Sequence, residues 1–221
     1  MRFIRPSLAL VVLLSLPVLG SAQTGQSPEA LAKALQARYQ NVRDFTADFV
    51  QTYRGGVLRT ETKERGTVSV KKPGLMRWTY TSPERKEFVS DGVKMYAYIP
   101  EDRQVTVSNI PSDTEAPTPV LFLAGKGDLV KDFTAEKAES PVPGATALKL
   151  TPRRNEPEYE YLIVAVDPAT LQIRALTTKD RQGGESTLRF ENLKENKGIS
   201  DNVFAFRIPR GVDVISNGQR N

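Results

Sequence analysis

Short segments in which apolar and polar side chains alternate run through most of the chain, and they constrain its fold more than any other feature. The first clear segment begins at Phe45, where Phe45, Ala47 and Phe49 are separated by Thr46 and Asp48. A period of two is typical of a β-strand with one buried face. We therefore predict a protein built mainly from short strands.

The alternating segments are separated by turn signals, which predict antiparallel connections. Asp91-Gly92, between two such segments, is a strong signal for a tight hairpin. Asp167-Pro168 and Gly183-Gly184 join three later segments into a predicted meander. The predicted strands span residues 45–50, 66–70, 75–80, 87–90, 93–99, 147–151, 159–167, 171–179, 185–193 and 203–208.

A helical pattern precedes the strands. Pro28 suits the first turn of a helix, and Ser27 before it is a good N-cap. Leu31, Leu35 and Tyr39 are spaced to share one face. We predict an amphipathic helix that ends near Gln40.

The alternation stops between residues 110 and 133, where prolines are frequent. A short helix from about Pro119 to Gly125 would carry Leu121 and Phe122 with their apolar neighbours, too many for one narrow stripe. Such a helix must cover other apolar groups. It is either a fixed plug over a β core or a movable lid.

The amino terminus has the pattern of a secretory signal peptide. Arg2 and Arg5 precede the apolar run 8–19, and Gly20 and Ala22 fit the small residues of a cleavage site. This run is shorter than the roughly 20 residues that a membrane-spanning helix needs. We expect export to the periplasm with cleavage after Ala22, which leaves residues 23–221. They carry no linker or repeat, and they predict a single α+β domain.

The composition excludes several kinds of chemistry. The chain has no histidine and no cysteine, so Ser-His and Cys-His nucleophiles and nearly all zinc sites are excluded. Carboxylates such as Asp44, Asp48, Asp91 and Glu158 remain, but no pattern pairs them. We predict no enzyme, no metal and no cofactor. Acids and bases alternate along the chain, and we therefore expect no nucleic-acid partner.

Large apolar side chains on the predicted strands form the remaining candidate site. Met76, Trp78 and Tyr80 share one strand face, and Tyr96 and Tyr98 share another. In a closed small barrel they would fill the core, whereas in an unclosed sheet they would line a cavity. The pattern by itself does not separate these alternatives. The candidate lining residues are Phe49, Met76, Trp78, Tyr80, Phe88, Tyr96, Tyr98, Leu121 and Phe122.

Several segments in series resemble the LolA family of periplasmic lipoprotein carriers. The pieces are residues 45–51, the run Lys-Pro-Gly-Leu-Met-Arg-Trp at 72–78, and Val-Ser-Asp-Gly at 89–92. Residues 98–100 and the tail from residue 192 to 214 are also similar. The resemblance covers about residues 28–215.

This resemblance implies an unclosed antiparallel β-barrel of about ten to eleven strands, with a lid of short helices over an apolar cavity. It also implies a monomeric carrier that takes the acyl chains of lipoproteins from the inner to the outer membrane. Its expected partners are acylated lipoproteins, an ATP-driven inner-membrane complex similar to LolCDE, and a LolB-like receptor. The family often has arginine where this chain has Lys72, and Lys72 or Arg77 is the expected lid latch.

A hypothesis from a different class stands beside the carrier. The chain would then be an envelope sensor or assembly factor that binds no lipid and whose β-barrel is filled by its own side chains.

Overall fold

The computed structural model describes residues 26–55, 60–110, 123 and 127–217. Within these residues it contains twelve strands, two α-helices and a 3₁₀-helix. The helices are α1 (Pro28–Gln40), α2 (Leu129–Asp132) and the 3₁₀-helix Asp201–Phe204. The strands are β1 (Asp44–Arg54), β2 (Glu61–Lys71), β3 (Leu75–Ser82), β4 (Lys86–Asp91), β5 (Lys94–Ile99), β6 (Gln104–Asn109), β7 (Phe133–Ala138), β8 (Thr146–Pro152), β9 (Tyr159–Val166), β10 (Ile173–Asp180), β11 (Glu185–Glu195) and β12 (Asp213–Asn217).

All twelve strands belong to one sheet, in the order β12-β6-β5-β4-β3-β2-β1-β11-β10-β9-β8-β7. Neighbouring strands are antiparallel except β12 and β6, which are parallel. The end strands β12 and β7 do not pair with each other, so the sheet is not closed. The predicted α+β fold with an unclosed antiparallel sheet is confirmed, although the described strands outnumber the predicted ten to eleven.

The helix α1 forms where the sequence predicts it. The Ser27 hydroxyl accepts a hydrogen bond from the Ala30 amide at 3.2 Å, which caps the first turn. Leu31, Leu35 and Tyr39 are buried on one face, and α1 contacts β7 and α2. Among the described residues, no helix is long and apolar enough to span a bilayer.

The face of the sheet that packs with α1 is called the inner face, and the opposite face is the outer face. Alternate residues of β8, β9 and β10 point to the inner face and are almost fully buried, since Leu150, Val164 and Leu176 are 0%, 2% and 3% exposed. They share a core cluster with Leu35 of α1. At about 25 cal/mol per Å² of buried apolar surface, this cluster is a major source of stability.

The predicted strand 203–208 is wrong. Asp201–Phe204 forms the 3₁₀-helix, and the following residues pair with no strand. Phe204 is 1% exposed because the segment packs on the outer face near β3 and β4. The carbonyl groups of Val203 and Ala205 in this segment accept hydrogen bonds from the Arg77 guanidinium, and not from a neighbouring strand. The alternating pattern of residues 203–208 therefore reflected packing of its apolar side chains on the sheet, and not pairing with a neighbouring strand.

Candidate functional site

A row of aromatic side chains from β1, β3 and β4 occupies one part of the inner face and passes over β2. Trp78 lies opposite Phe88 in the β3–β4 pair. The Phe49 ring meets Trp78 and Tyr80 edge to face, with centroids 5.2 and 4.9 Å apart. Tyr80 and Phe88 are in a similar arrangement at 5.7 Å. Edge-to-face pairs of this kind add to the free energy of burial.

Gly66 on β2 makes room for this aromatic row. A Cβ atom at Gly66 would lie 2.8 Å from the Phe49 ring and 2.1 Å from the Thr79 carbonyl oxygen. The pairing of β2 with β3 shifts register beside Gly66. Only a residue without a side chain allows the Phe49 ring this position.

A cavity of about 270 Å³ lies beside the aromatic row. Its walls are mainly apolar, and unlike the β8–β10 part of the inner face they include half-buried side chains such as Phe88 and Met95. The cavity therefore offers apolar surface that the described residues do not fully cover. The residues that line it are Gln51, Met76, Trp78, Tyr80, Phe88, Val89, Ser90, Met95 and Leu188.

One edge of the cavity is polar but uncharged. The Tyr80 hydroxyl donates to Gln51 Oε1 at 2.8 Å, and Gln51 Nε2 donates to Ser186 Oγ at 3.0 Å. Burial, with a smaller contribution from Glu64, raises the pKa of Tyr80 to about 12. Tyr80 is therefore neutral at physiological pH. This edge offers hydrogen-bonding groups to a ligand without placing a net charge beside the apolar walls.

Three of the predicted lining residues in the described part of the chain do not line the cavity. Phe49 is 1% exposed and packs against Trp78 and Tyr80 without reaching the cavity wall, and the other two are tyrosines of β5. Tyr96 pairs with Val89, and Tyr98 pairs with Glu87, which places both tyrosines on the outer face. Their rings pack against Phe206, at 5.0 and 6.0 Å between centroids. Their assignment to the cavity wall is wrong because side chains alternate between faces along β5.

Sequence reasoning missed Met95 and Leu188. Met95 lies between the polar Lys94 and the outer-face Tyr96, and it faces the cavity together with Phe88 and Ser90. Alternation shows that Met95 and Tyr96 point to opposite faces, but it does not show which of them faces the cavity. Leu121 and Phe122 lie outside the described residues, as does most of the predicted lid.

The comparisons with known proteins decide the family. Residues 40–207 match the family model described as outer membrane lipoprotein carrier protein LolA. The chain belongs to the LolA family. This family is one of carriers, and the resemblance read from the sequence is confirmed.

Individual relatives agree with this assignment. An outer-membrane lipoprotein carrier protein of Hahella chejuensis is 33% identical over 93% of this chain and 97% of its own length. One of Chromohalobacter salexigens is 31% identical over 99% of this chain and its whole length. An uncharacterized conserved protein of Thermus thermophilus has the same fold, with a TM-score of 0.53 at 16% identity over 84% of this chain and 98% of that chain.

Lys72, the other expected latch residue, contacts the end of α1. Its ammonium donates to the Tyr39 carbonyl oxygen at 2.5 Å and lies 3.9 Å from the centre of the Tyr39 ring. Burial lowers the pKa of Lys72 to about 8, and Glu195 partly opposes that change. Lys72 thus connects the start of the β2–β3 turn to the helix that covers the inner face. A latch role for Lys72 remains a prediction.

In the part of the chain that the structure describes, Arg77 contacts no helix of the inner face. It points to the outer face, where Nε donates to the Val203 carbonyl oxygen at 2.7 Å and Nη2 donates to that of Ala205 at 3.0 Å. Nη1 forms an ion pair with Glu87 at 3.0 Å. Residues 76 and 77 of a strand face opposite sides, so Arg77 lies on the face away from α1, and its latch role stays a prediction. Arg77 fixes the segment after β11 instead.

Proposed function

We propose that this protein carries lipoproteins between the inner and outer membranes by holding their acyl chains in the inner-face cavity. The observation that carries the proposal is the contrast within one face of the sheet. Side chains of β8–β10 are buried against α1, whereas Phe88 and Met95 are left half-buried around a cavity of about 270 Å³. An unclosed sheet can widen such a cavity, whereas a closed, filled barrel cannot.

Cargo transport of this kind needs burial more than chemistry. Each acyl methylene removed from water is worth about 0.8 kcal/mol, so a lipoprotein with several chains cannot cross an aqueous space unprotected. Met76 and Met95 supply flexible apolar surface that adapts to a chain. Reversible burial forms no covalent bond, and the proposed carrier is therefore not an enzyme.

Loading and unloading are assigned to partners. The chain has no phosphate-binding sequence motif with which to use ATP. An inner-membrane ATP-driven complex similar to LolCDE would therefore load the cargo, and a LolB-like receptor would remove it. Membership of the LolA family supports these partners. The signal-peptide pattern in residues 1–22 supports a periplasmic location.

Capture of an acylated lipoprotein tests the proposal. Phe88→Glu places a carboxylate in the apolar wall, which costs several kcal/mol unless the carboxylate is protonated or paired. We expect this variant to fold but to lose capture of the acylated lipoprotein. Val93→Glu is the matched control, because Val93 is 73% exposed. The control should capture cargo as the wild type does, with circular dichroism as the check on folding.

A deacylated form of the same lipoprotein completes the experiment. The wild type should capture only the acylated form, and the fluorescence of Trp78, the one tryptophan in the chain, should change on binding. Equal capture of the two forms would contradict the carrier function. Normal capture by folded Phe88→Glu would remove the inner-face cavity as the acyl site.

A further inference from the structure

We propose that a second pocket, on the outer face, docks an acidic, extended segment of a protein partner. This outer pocket has a volume of about 440 Å³ and lies between β3, β4, the end of β5 and the segment after the 3₁₀-helix. Its walls include Arg85, Tyr98, Phe206 and Arg207. Tyr80 lines this pocket as well as the acyl cavity, but the other residues named here line the outer pocket alone.

One wall of the outer pocket is held in place by Arg77. This guanidinium binds the carbonyl oxygens of Val203 and Ala205, and its ion pair with Glu87 fixes it from the other side. Phe206, next in the chain, then packs against Tyr98 with 6.0 Å between ring centroids. The pocket is therefore formed before any partner arrives, which lowers the entropic cost of binding.

The outer pocket has an excess of positive charge. Arg85 and Arg207 are exposed, and neither has an ion-pair or hydrogen-bond partner among the residues that the structure describes. Glu87 also lines the pocket, but its carboxylate is occupied by Arg77 at 3.0 Å. Two guanidinium groups thus remain available to an anionic ligand.

The shape and lining of the pocket favour a peptide. A guanidinium matches a carboxylate with two parallel hydrogen bonds. Tyr98, Phe206 and Pro209 provide an apolar floor for one side chain next to the charged rim. A protruding chain segment can enter such a concave site, whereas a flat bilayer cannot. The matching ligand is an apolar side chain flanked by Asp or Glu.

The position of the outer pocket gives it a role distinct from cargo binding. Arg77 and Thr79 line it from the same strand whose inner face carries Trp78 and the acyl cavity. A partner that contacts the outer-face residues, and not the shared Tyr80, can therefore dock while cargo stays in the cavity. Docking would let a partner recognise the carrier without competing with the acyl chains.

A labelled synthetic peptide, with one phenylalanine flanked by glutamates, tests the proposal by fluorescence anisotropy. We expect the wild type to bind it at low salt, and to bind a version with glutamines instead of glutamates more weakly. Arg85→Gln/Arg207→Gln should weaken binding of the acidic peptide by about fivefold or more, since two exposed ion pairs are lost. Added salt should reduce the difference.

The matched control is Arg153→Gln/Arg154→Gln, which removes the same charge from two exposed arginines outside the pocket. This control should keep wild-type affinity for the acidic peptide. Equal losses in the two double variants would show a nonspecific charge effect and overturn the proposal. Absence of peptide binding by the wild type would also overturn it.

Two further measurements separate the remaining outcomes. Arg85→Gln/Arg207→Gln should capture acylated lipoprotein as the wild type does, so a failure of the carrier function leaves this test intact. Vesicles of phosphatidylglycerol and of phosphatidylcholine provide the membrane arm. The proposal is wrong if the wild type binds the phosphatidylglycerol vesicles but not the phosphatidylcholine vesicles, and if Arg85 and Arg207 are needed for that binding but not for peptide binding. The pocket would then serve a membrane.

Discussion

Two parts of the same inner face differ in how they are covered. On β8–β10, residues such as Leu150 and Val164 are 0–2% exposed and pack in one cluster with α1. On β4 and β5, Phe88 and Met95 remain half-buried beside the cavity. One sheet thus contains a part that stabilises the fold and a part that keeps apolar surface available. An unclosed sheet permits this division, because its end strands need not meet.

The largest expected effect is on the packed part. Leu150→Ala should lower the free energy of unfolding by about 2–5 kcal/mol, because Leu150 is fully buried and the surroundings cannot fill the space. Met95→Ala should cost only about 1 kcal/mol, since Met95 is half-buried and already borders a cavity. Urea denaturation measures both. Equal losses would contradict the difference between the two parts.

Gly66 tests how far the cavity part depends on its aromatic row. Gly66→Ala should cost about 1–3 kcal/mol, because the new methyl group collides with the Phe49 ring and with the Thr79 carbonyl oxygen. Gly55→Ala is the matched control, since its nearest contact is the Thr60 hydroxyl at 3.1 Å. Thermal melts measure the two changes. A Gly66→Ala variant as stable as the control would mean that the aromatic row shifts freely.

Arg77 tests whether the outer face is independent of the cavity. Arg77→Gln removes contacts to two carbonyl groups and to Glu87, and it should cost about 1–2 kcal/mol. Hydrogen exchange should increase at the amides of residues 203–206. It should not increase in α1, as a lid latch would require. Arg85→Gln, at an exposed arginine, is the control and should leave stability unchanged within about 0.5 kcal/mol.

Lys72 is expected to give the smallest effect, at the junction of α1 and the sheet. Lys72→Arg should raise stability at pH 7 by about 0.5–1 kcal/mol, since a guanidinium stacks well on the Tyr39 ring. Differential scanning calorimetry measures this, with Lys94→Arg on the exposed hairpin as the control. A less stable arginine variant would contradict a latch between Lys72 and α1.

The pH dependence of that difference sharpens the test. Burial lowers the pKa of Lys72 to about 8 in the folded state, from 10.5 without it. Between these values the unfolded chain binds more protons at this site, so the stability of the wild type rises with pH. An arginine at this position stays charged over the same pH range, so the stability of the variant does not rise through deprotonation at this site. The advantage of Lys72→Arg should therefore shrink from pH 8 to pH 10.5.

The sequence alone determined the kind of fold and the residues of the aromatic row. Period-two patterns predicted most strands, and the Asp91-Gly92 dipeptide predicted the hairpin turn. The N-cap before Pro28 and the helical spacing of apolar residues predicted α1. Local backbone preferences and burial set all these features. Met76 and Trp78 share a face by alternation within one strand, so their common position was readable before the structure.

Only the tertiary structure decided which side chains of neighbouring strands lie on the same face of the sheet. A shift of one residue in strand pairing moves every side chain to the other face, and no local pattern of β5 specifies that register. Met95 therefore lines the cavity, whereas Tyr96 packs on Phe206. Arg77 meets the Val203 carbonyl group across 126 residues of chain. Contacts over such distances depend on the path of the whole sheet, which short-range preferences do not fix.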